Sequence, residues 1–293
     1  MAAACFRKKW RSGVNHKAIH CTLGTVALLA GIFTATSLSA QQPNLSSGSN
    51  APAERLTPTP QTSPSGHPED AYWNAHDRQL LVDFGDLARF KDANETLGAP
   101  KPGEKRVIFM GDSITQGWNL AESFPGKPYV NRGISGQTTP QMLVRFRQDV
   151  IDLNPKVVII LAGTNDIAGN TGPMTLDQTE GNIASMAELA TANGIQVVIC
   201  SILPAFDYKW APGREPAPKI LKVNAWLKEY AAREGYVYVD YYAAMKDDRG
   251  GLPPTLSKDG VHPLPAGFAI MTPLAQAGIE QALQGGMRHS QTK

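Results

Sequence analysis

Val107-Ile108-Phe109-Met110-Gly111-Asp112-Ser113-Ile114-Thr115 is the stretch whose reading decides the fold. Four apolar residues bounded by glycine have the pattern of a short buried strand. Gly111-Asp112-Ser113 then turns the backbone and lifts one hydroxyl off the strand's carboxyl end, the edge at which open α/β sheets bind ligands. A serine placed there becomes a nucleophile only if a base and an oxyanion site come from elsewhere. By itself it serves equally well as a turn or helix cap.

Working outward, strands and helices alternate. Pro128-Tyr129-Val130-Asn131 is a weak strand, Val157-Val158-Ile159-Ile160-Leu161 a strong one, and Val197-Val198-Ile199-Cys200 and Val237-Tyr238-Val239-Asp240 complete a set of five. Between them Met142, Leu143, Phe146 and Val150 share one helical face behind Thr139-Pro140, an N-cap followed by proline at the first helical position. Ile183, Met186, Ala187 and Ala190 mark a second helix ending at Asn193-Gly194, and Ile220, Val223, Leu227 and Tyr230 a third. A last helix is expected from about Pro265 to Leu283, bent at Pro273. Upstream, Trp73, Leu80, Leu81, Phe84, Leu87 and Phe90 predict one amphipathic helix leading in from Ala71. Continuous apolar strands separated by helices imply a parallel sheet covered on both faces, an α/β fold.

Composition narrows the partners. The 293 residues carry a formal charge of +2, but Arg7, Lys8, Lys9, Arg11 and Lys17 lie in the first forty positions, which hold no acid. Removing those five from 28 Lys and Arg leaves 23 bases against 26 acids, which is no electrostatic footprint for nucleic acid. Cys5, Cys21 and Cys200 have neither metal-ligand nor redox spacing. The basic start, the apolar run Leu23 to Phe33 and the small residues up to Ala40 form the pattern of a secretory signal cleaved after Ala40. The expected location is therefore secreted or periplasmic with no stable membrane span, or membrane-anchored if the segment stays uncleaved. Residues 41–70, rich in Pro, Ser, Thr and Gly, read as a disordered linker to a domain over 71–285, with residues 286–293 as a disordered tail.

Three more polar clusters follow strand ends: Asn131-Arg132-Gly133-Ile134-Ser135-Gly136, Gly163-Thr164-Asn165-Asp166 and Asp259-Gly260-Val261-His262-Pro263. They supply the missing parts. His262 can take the serine proton and return it to a leaving group, and Asp259, three residues away, can fix the imidazole tautomer. The N–H groups of Ser113 and Gly136 and the side-chain amide of Asn165 can converge on a developing oxyanion. The order Ser, Asp, His is that of α/β-hydrolases, yet there is no G-x-S-x-G elbow at Ser113.

These blocks resemble the SGNH (GDSL-type) hydrolase family. Gly111-Asp112-Ser113-Ile114-Thr115 resembles its first block, with Ile114 where leucine is usual. Gly136 aligns best with the glycine of its second, Gly133 being the alternative. Gly163-Thr164-Asn165-Asp166 resembles its third and Asp259-Gly260-Val261-His262 its fifth. The resemblance implies a flavodoxin-like three-layer α/β/α sandwich on a five-stranded parallel sheet. It also implies Ser113 as nucleophile, Asp259 and His262 as its triad partners, Ser113, Gly136 and Asn165 as oxyanion donors, and no cofactor or metal.

The expected activity is a secreted serine esterase acting on small acyl esters, acetylated carbohydrate first among them. The rivals are a lysophospholipase or thioesterase of the same family and a non-catalytic glycan-binding relative. Phe206, Tyr208 and Trp210, in the long connection after the fourth strand, and Trp118, five residues past the serine, are candidate substrate walls.

Overall fold

A computed structural model describes residues 68–290. The expected signal, the expected linker up to residue 67, Cys5, Cys21 and the last three residues lie outside the described residues. The strands are β1 (Val107–Gly111), β2 (Tyr129–Gly133), β3 (Val157–Leu161), β4 (Gln196–Cys200) and β5 (Val237–Val239). They form one parallel sheet in the order β2-β1-β3-β4-β5. This is the flavodoxin-like order, in which the connections change direction between β1 and β3 and leave a crevice at their carboxyl ends.

Two-residue periodicity sorts each strand between two cores. Ile108, Met110, Val158, Ile160, Val197 and Ile199 point into one, while Val107, Phe109, Val157, Ile159, Val198 and Cys200 point into the other. The helices, in chain order, are α1 (Pro68–Val82), α2 (Lys91–Leu97), α3 (Ser113–Gln116), α4 (Leu120–Ser123), α5 (Thr139–Asp149), α6 (Thr164–Ala168), α7 (Leu176–Ala192), α8 (Pro216–Glu234), α9 (Tyr241–Met245) and α10 (Pro265–Ser290). Met142 and Phe146 of α5, Ile183 and Met186 of α7, and Ile220 and Leu227 of α8 cover the first face. Tyr241 and Met245 of α9 with Met271, Ala275 and Ile279 of α10 cover the second. The result is the three-layer α/β/α sandwich expected from the sequence, and the predicted faces of α5, α7 and α8 are the buried ones. Cys200 lies inside the second core, where burial pushes its thiol up to about 12.

The entry segment departs from expectation. The single helix anticipated from about Ala71 to Phe90 stops at Val82, because Gly85 follows and Asp86 takes a positive φ of 50°. Asp83 then accepts the Ala88 N–H at 3.1 Å, a turn that competes with a helix. Leu81 and Val82 are 87% and 86% exposed, so their spacing reports no core face. Amide side chains strap this stretch to the domain instead. Gln137, Gln141 and Gln148 donate to the carbonyls of Gly85, Phe84 and Leu87 at 2.7–3.0 Å. At the other end α10 continues through Pro273 as far as Ser290, into the residues expected as a tail.

Candidate active site

β1 delivers Ser113. Asp112, directly after the strand, accepts the Ile114 N–H at 2.9 Å and starts the one-turn helix α3 with Ser113 as its first residue. The Asp112 carboxyl is buried, and burial pushes it up to about 7 despite the bond from the Ile114 N–H and the nearby His262 ring, which pull it down. Beneath the turn Arg145 of α5, fully buried, donates to the carbonyls of Gly111 and Arg132 at 3.1 and 2.8 Å. It also donates to Gln137 and pairs with buried Asp149 at 3.0 Å. One guanidinium thus ties the ends of β1 and β2 to α5, using its planar fork to satisfy several acceptors at once.

The loop before α10 delivers His262. Its Nε2 lies 2.9 Å from Ser113 Oγ, and its Nδ1 lies 2.6 Å from Asp259 Oδ2. The other carboxylate oxygen, Oδ1, accepts the Val261 N–H, the His262 N–H and the Ser257 hydroxyl at 2.8–2.9 Å. Partial burial alone would raise the Asp259 carboxyl, but these bonds and the His262 ring outweigh it and hold the group well below the usual carboxylate range. An ionised Asp259 accepts from Nδ1–H, which leaves Nε2 as the acceptor facing the serine hydroxyl.

β2 and β3 deliver the third part. The two glycines of the β2 loop separate cleanly. Gly133 donates its N–H to Asn131 Oδ1 at 2.8 Å, and a Cβ there would fall 2.2 Å from the Gln116 nitrogen. It is needed for close approach. Gly136 has a φ of 78°, at which a side chain is strained, and its N–H has no acceptor among the described residues. Asn165, in the first turn of α6, is buried and donates one amide hydrogen to the Gln137 carbonyl at 3.0 Å. Next to it Asp166 accepts the N–H of Thr139 at 3.0 Å and also the Thr139 hydroxyl, which pins α6 to the N-terminus of α5. Burial pushes Asp166 up to about 6.

The aromatic candidates divide. Trp118 is 3% exposed, stacked on Phe268 and edge-on to Phe109, so it is core and forms no wall. Tyr208 is fully buried, with its hydroxyl 2.7 Å from Thr164 Oγ1, and serves to anchor its loop. Phe206 is 53% exposed under the Arg249 guanidinium. Trp210 is half-buried against Tyr208, its indole N–H bonded to Asn170. Asn170 itself carried no signal in the sequence beyond lying in a glycine-rich loop. Among the described residues no group of three or more His, Cys, Asp or Glu is placed to hold a metal ion.

The sequence profile of the GDSL-like lipase/acylhydrolase family matches residues 109–270, more than half of the chain. The chain belongs to this family. The solved structure of a GDSL-like lipase from Bacteroides thetaiotaomicron is 46% identical, with a TM-score of 0.66 over 68% of this chain and 100% of its own. A Bacteroides fragilis structure is 47% identical, with a TM-score of 0.67 over 69% of this chain and 99% of its own. Among curated relatives, this GDSL chain is 29% identical to the esterase TesA of Pseudomonas aeruginosa, over 54% of its own length and 79% of TesA. It is also 29% identical to an acetylxylan esterase of Geobacillus stearothermophilus, over 58% and 90% of the two chains. Against an uncharacterised lipoprotein of Bacillus subtilis the GDSL chain spans only 54% of the relative's length, at 28% identity. No helix among the described residues is long and apolar enough to cross a membrane.

Proposed function

We propose that the protein is an exported serine esterase that removes short acyl groups, acetyl first among them, from water-soluble esters. The observation that carries the reading is the unbroken hydrogen-bond chain from Ser113 through His262 to Asp259 at the carboxyl edge of the sheet. Ser113 Oγ attacks the acyl carbonyl while its proton passes to His262 Nε2. Negative charge gathers on the former carbonyl oxygen and is met by the N–H groups of Ser113 and Gly136 and by the second amide hydrogen of Asn165. The intermediate collapses, and the departing alcohol takes the proton from His262. Water then repeats the sequence on the acyl-enzyme, and the acid and free Ser113 are released. Asp259 holds the imidazole and stays ionised throughout.

The loops around the serine favour small substrates. Thr115-Gln116-Gly117, Gly136-Gln137-Thr138-Thr139 and Gly169-Asn170-Thr171-Gly172 are polar and glycine-rich, and Trp118 and Tyr208 are committed to the core. An apolar tunnel would reward each added methylene by about 0.8 kcal/mol; these loops supply no such lining. The acetylxylan esterase among the relatives supports a carbohydrate alcohol. The basic, apolar and small-residue pattern of the first forty positions supports export.

A series of aryl esters from acetyl to decanoyl tests the reading, together with labelling by a fluorophosphonate. Activity is expected to peak between acetyl and butyryl, and Ser113→Ala is expected to abolish labelling and turnover while staying folded. Undiminished turnover by Ser113→Ala would sink the triad. A steady rise toward long acyl chains would replace the short-acyl esterase with a lysophospholipase or thioesterase.

A further inference from the structure

The loop after β4 reaches across α6 and ends on the anion-binding part of the site. Trp210 Nε1–H donates to Asn170 Oδ1 at 3.2 Å. Asn170 Nδ2 donates in two directions, to the Gly136 carbonyl at 3.0 Å and to Asn165 Oδ1 at 3.1 Å. Asn165 Nδ2 donates onward to the Gln137 carbonyl at 3.0 Å.

The two ends of this chain allow no choice of direction. An indole nitrogen only donates, and a backbone carbonyl only accepts. Asn170 must therefore turn its oxygen to Trp210 and its nitrogen to Gly136. The atom it meets on Asn165 must then be the oxygen, so the amide nitrogen of Asn165 faces the other way. One of its two hydrogens goes to Gln137, and the second remains for a substrate oxygen. The bond to the Gly136 carbonyl matters separately. Gly136 stands at a φ of 78°, and a glycine explores more conformations than any other residue unless something pins it. Asn170 pins the carbonyl on one side of the residue whose N–H is the other proposed donor.

We infer that Asn170, oriented by the indole of Trp210, is a positioning residue that holds both Gly136 and the Asn165 amide in the direction that receives the oxyanion. The inference rests on the reading of Gly136 and Asn165 as oxyanion donors. It also gives Trp210 a task other than lining a substrate wall. The loop is fastened on both sides of Asn165, by Tyr208 on Thr164 and by Trp210 on Asn170, so the orientation survives substrate entry.

Steady-state kinetics on an aryl acetate with five variants test it. Asn165→Ala is the reference and is expected to lower kcat about 10²–10³-fold. In Asn170→Asp the carboxylate cannot donate to Gly136 and draws the NH₂ of Asn165 toward itself, turning the Asn165 oxygen into the site. The expected loss in kcat matches that of Asn165→Ala, with KM within about threefold and the melting temperature little changed, a split that falls on the transition state. Asn170→Ala is expected to lose kcat by about tenfold or more, and Trp210→Phe, which keeps the ring and removes the N–H, by a smaller factor. The double variant Asn165→Ala/Asn170→Asp should lose far less than the product of its two single losses, as for residues acting through one another. If Asn165→Ala is crippled while Asn170→Asp and Asn170→Ala both keep kcat within threefold, the positioning role is overturned and the oxyanion reading stands. Losses that multiply in the double variant overturn it too. If Asn165→Ala is itself unimpaired, the oxyanion reading falls and takes this inference with it.

Discussion

Asp259 and His262 have side chains 43% and 44% exposed, on one short loop in which every bond that Asp259 accepts, from Ser257, Val261 and His262, comes from within three residues of it. Asn165, only 3% exposed, is held through partners 28 residues away at Gln137 and five away at Asn170, which in turn contacts Gly136 and Trp210 at separations of 34 and 40. The pair proposed to handle the proton thus sits on one half-exposed loop. The residues proposed to bind the anion are held together from the loops after β2, β3 and β4, with Gly136 and Asn165 buried. Each plan suits its task. A base must exchange protons with water during deacylation, whereas hydrogen-bond donors stabilise a developing charge best when fixed in advance and shielded from solvent.

Asp259→Asn gives the hardest blow to the half-exposed loop. The asparagine oxygen can keep the bonds from Val261, His262 and Ser257, which sets its NH₂ against His262 Nδ1. The ring is then driven to the tautomer that donates to Ser113 and cannot accept its proton. The expected loss in kcat is on the order of 10⁴-fold, with a melting temperature close to that of the parent protein. A large fall in melting temperature would show that the loop is less independent than its bonds imply.

Arg145→Met probes the other plan, because Arg145 joins Gly111, Arg132, Gln137 and Asp149 beneath the nucleophile turn. Removing one member of a buried ion pair costs about 3–5 kcal/mol, here with Asp149 left to the amides of Asn94 at 2.8 Å and Gln148 at 3.5 Å. Thermal melting is expected to record that loss, and Arg145→Met/Asp149→Leu to recover much of it. A melting temperature unchanged in the single variant would mean that the buried part is not anchored through this guanidinium.

The smallest effect is a slope. Asp112 carries a proton in the folded state up to about pH 7, whereas in the unfolded chain it ionises near its ordinary value of 3.8. Between those pH values the folded state binds more protons than the unfolded one, so this group makes stability fall as pH rises, by at most about 1.4 kcal/mol per pH unit. Above pH 7 the cost is complete and the slope ends. Denaturant titrations from pH 4 to 8 should show a shallower decline in Asp112→Asn than in the parent. Parallel curves would mean that the Asp112 carboxyl is ionised throughout, and that the turn under Ser113 is wetter than its burial indicates.

The same contrast explains what could be read from the residues alone. Asp259 and His262 were legible because their partnership is local, and the alternating strands and the buried faces of α5, α7 and α8 because periodicity is local too. Asn170 was not, since its meaning lies in an indole 40 residues on and a carbonyl 34 residues back. The choice of Gly136 over Gly133 likewise needed the Asn131 side chain to be seen occupying the Gly133 N–H. Trp118 misled because nearness to Ser113 in sequence says nothing about which side of the sheet a ring falls on. The helix expected up to Phe90 failed for the opposite reason: apolar spacing persisted through Gly85 and Asp86, where the backbone had already turned.

Ser113 and His262 are 149 residues apart, and α10, whose Met271, Ala275 and Ile279 close the second face of the sheet, begins directly after the loop that carries the base. A chain being synthesised therefore possesses its serine long before it possesses an imidazole. Until then Ser113 is an ordinary alcohol, since an unassisted hydroxyl is a poor nucleophile. On the proposed mechanism assembly order is a safety catch: a nascent chain, or a fragment cut short of residue 262, has the serine without the imidazole that the proposal assigns to activate it.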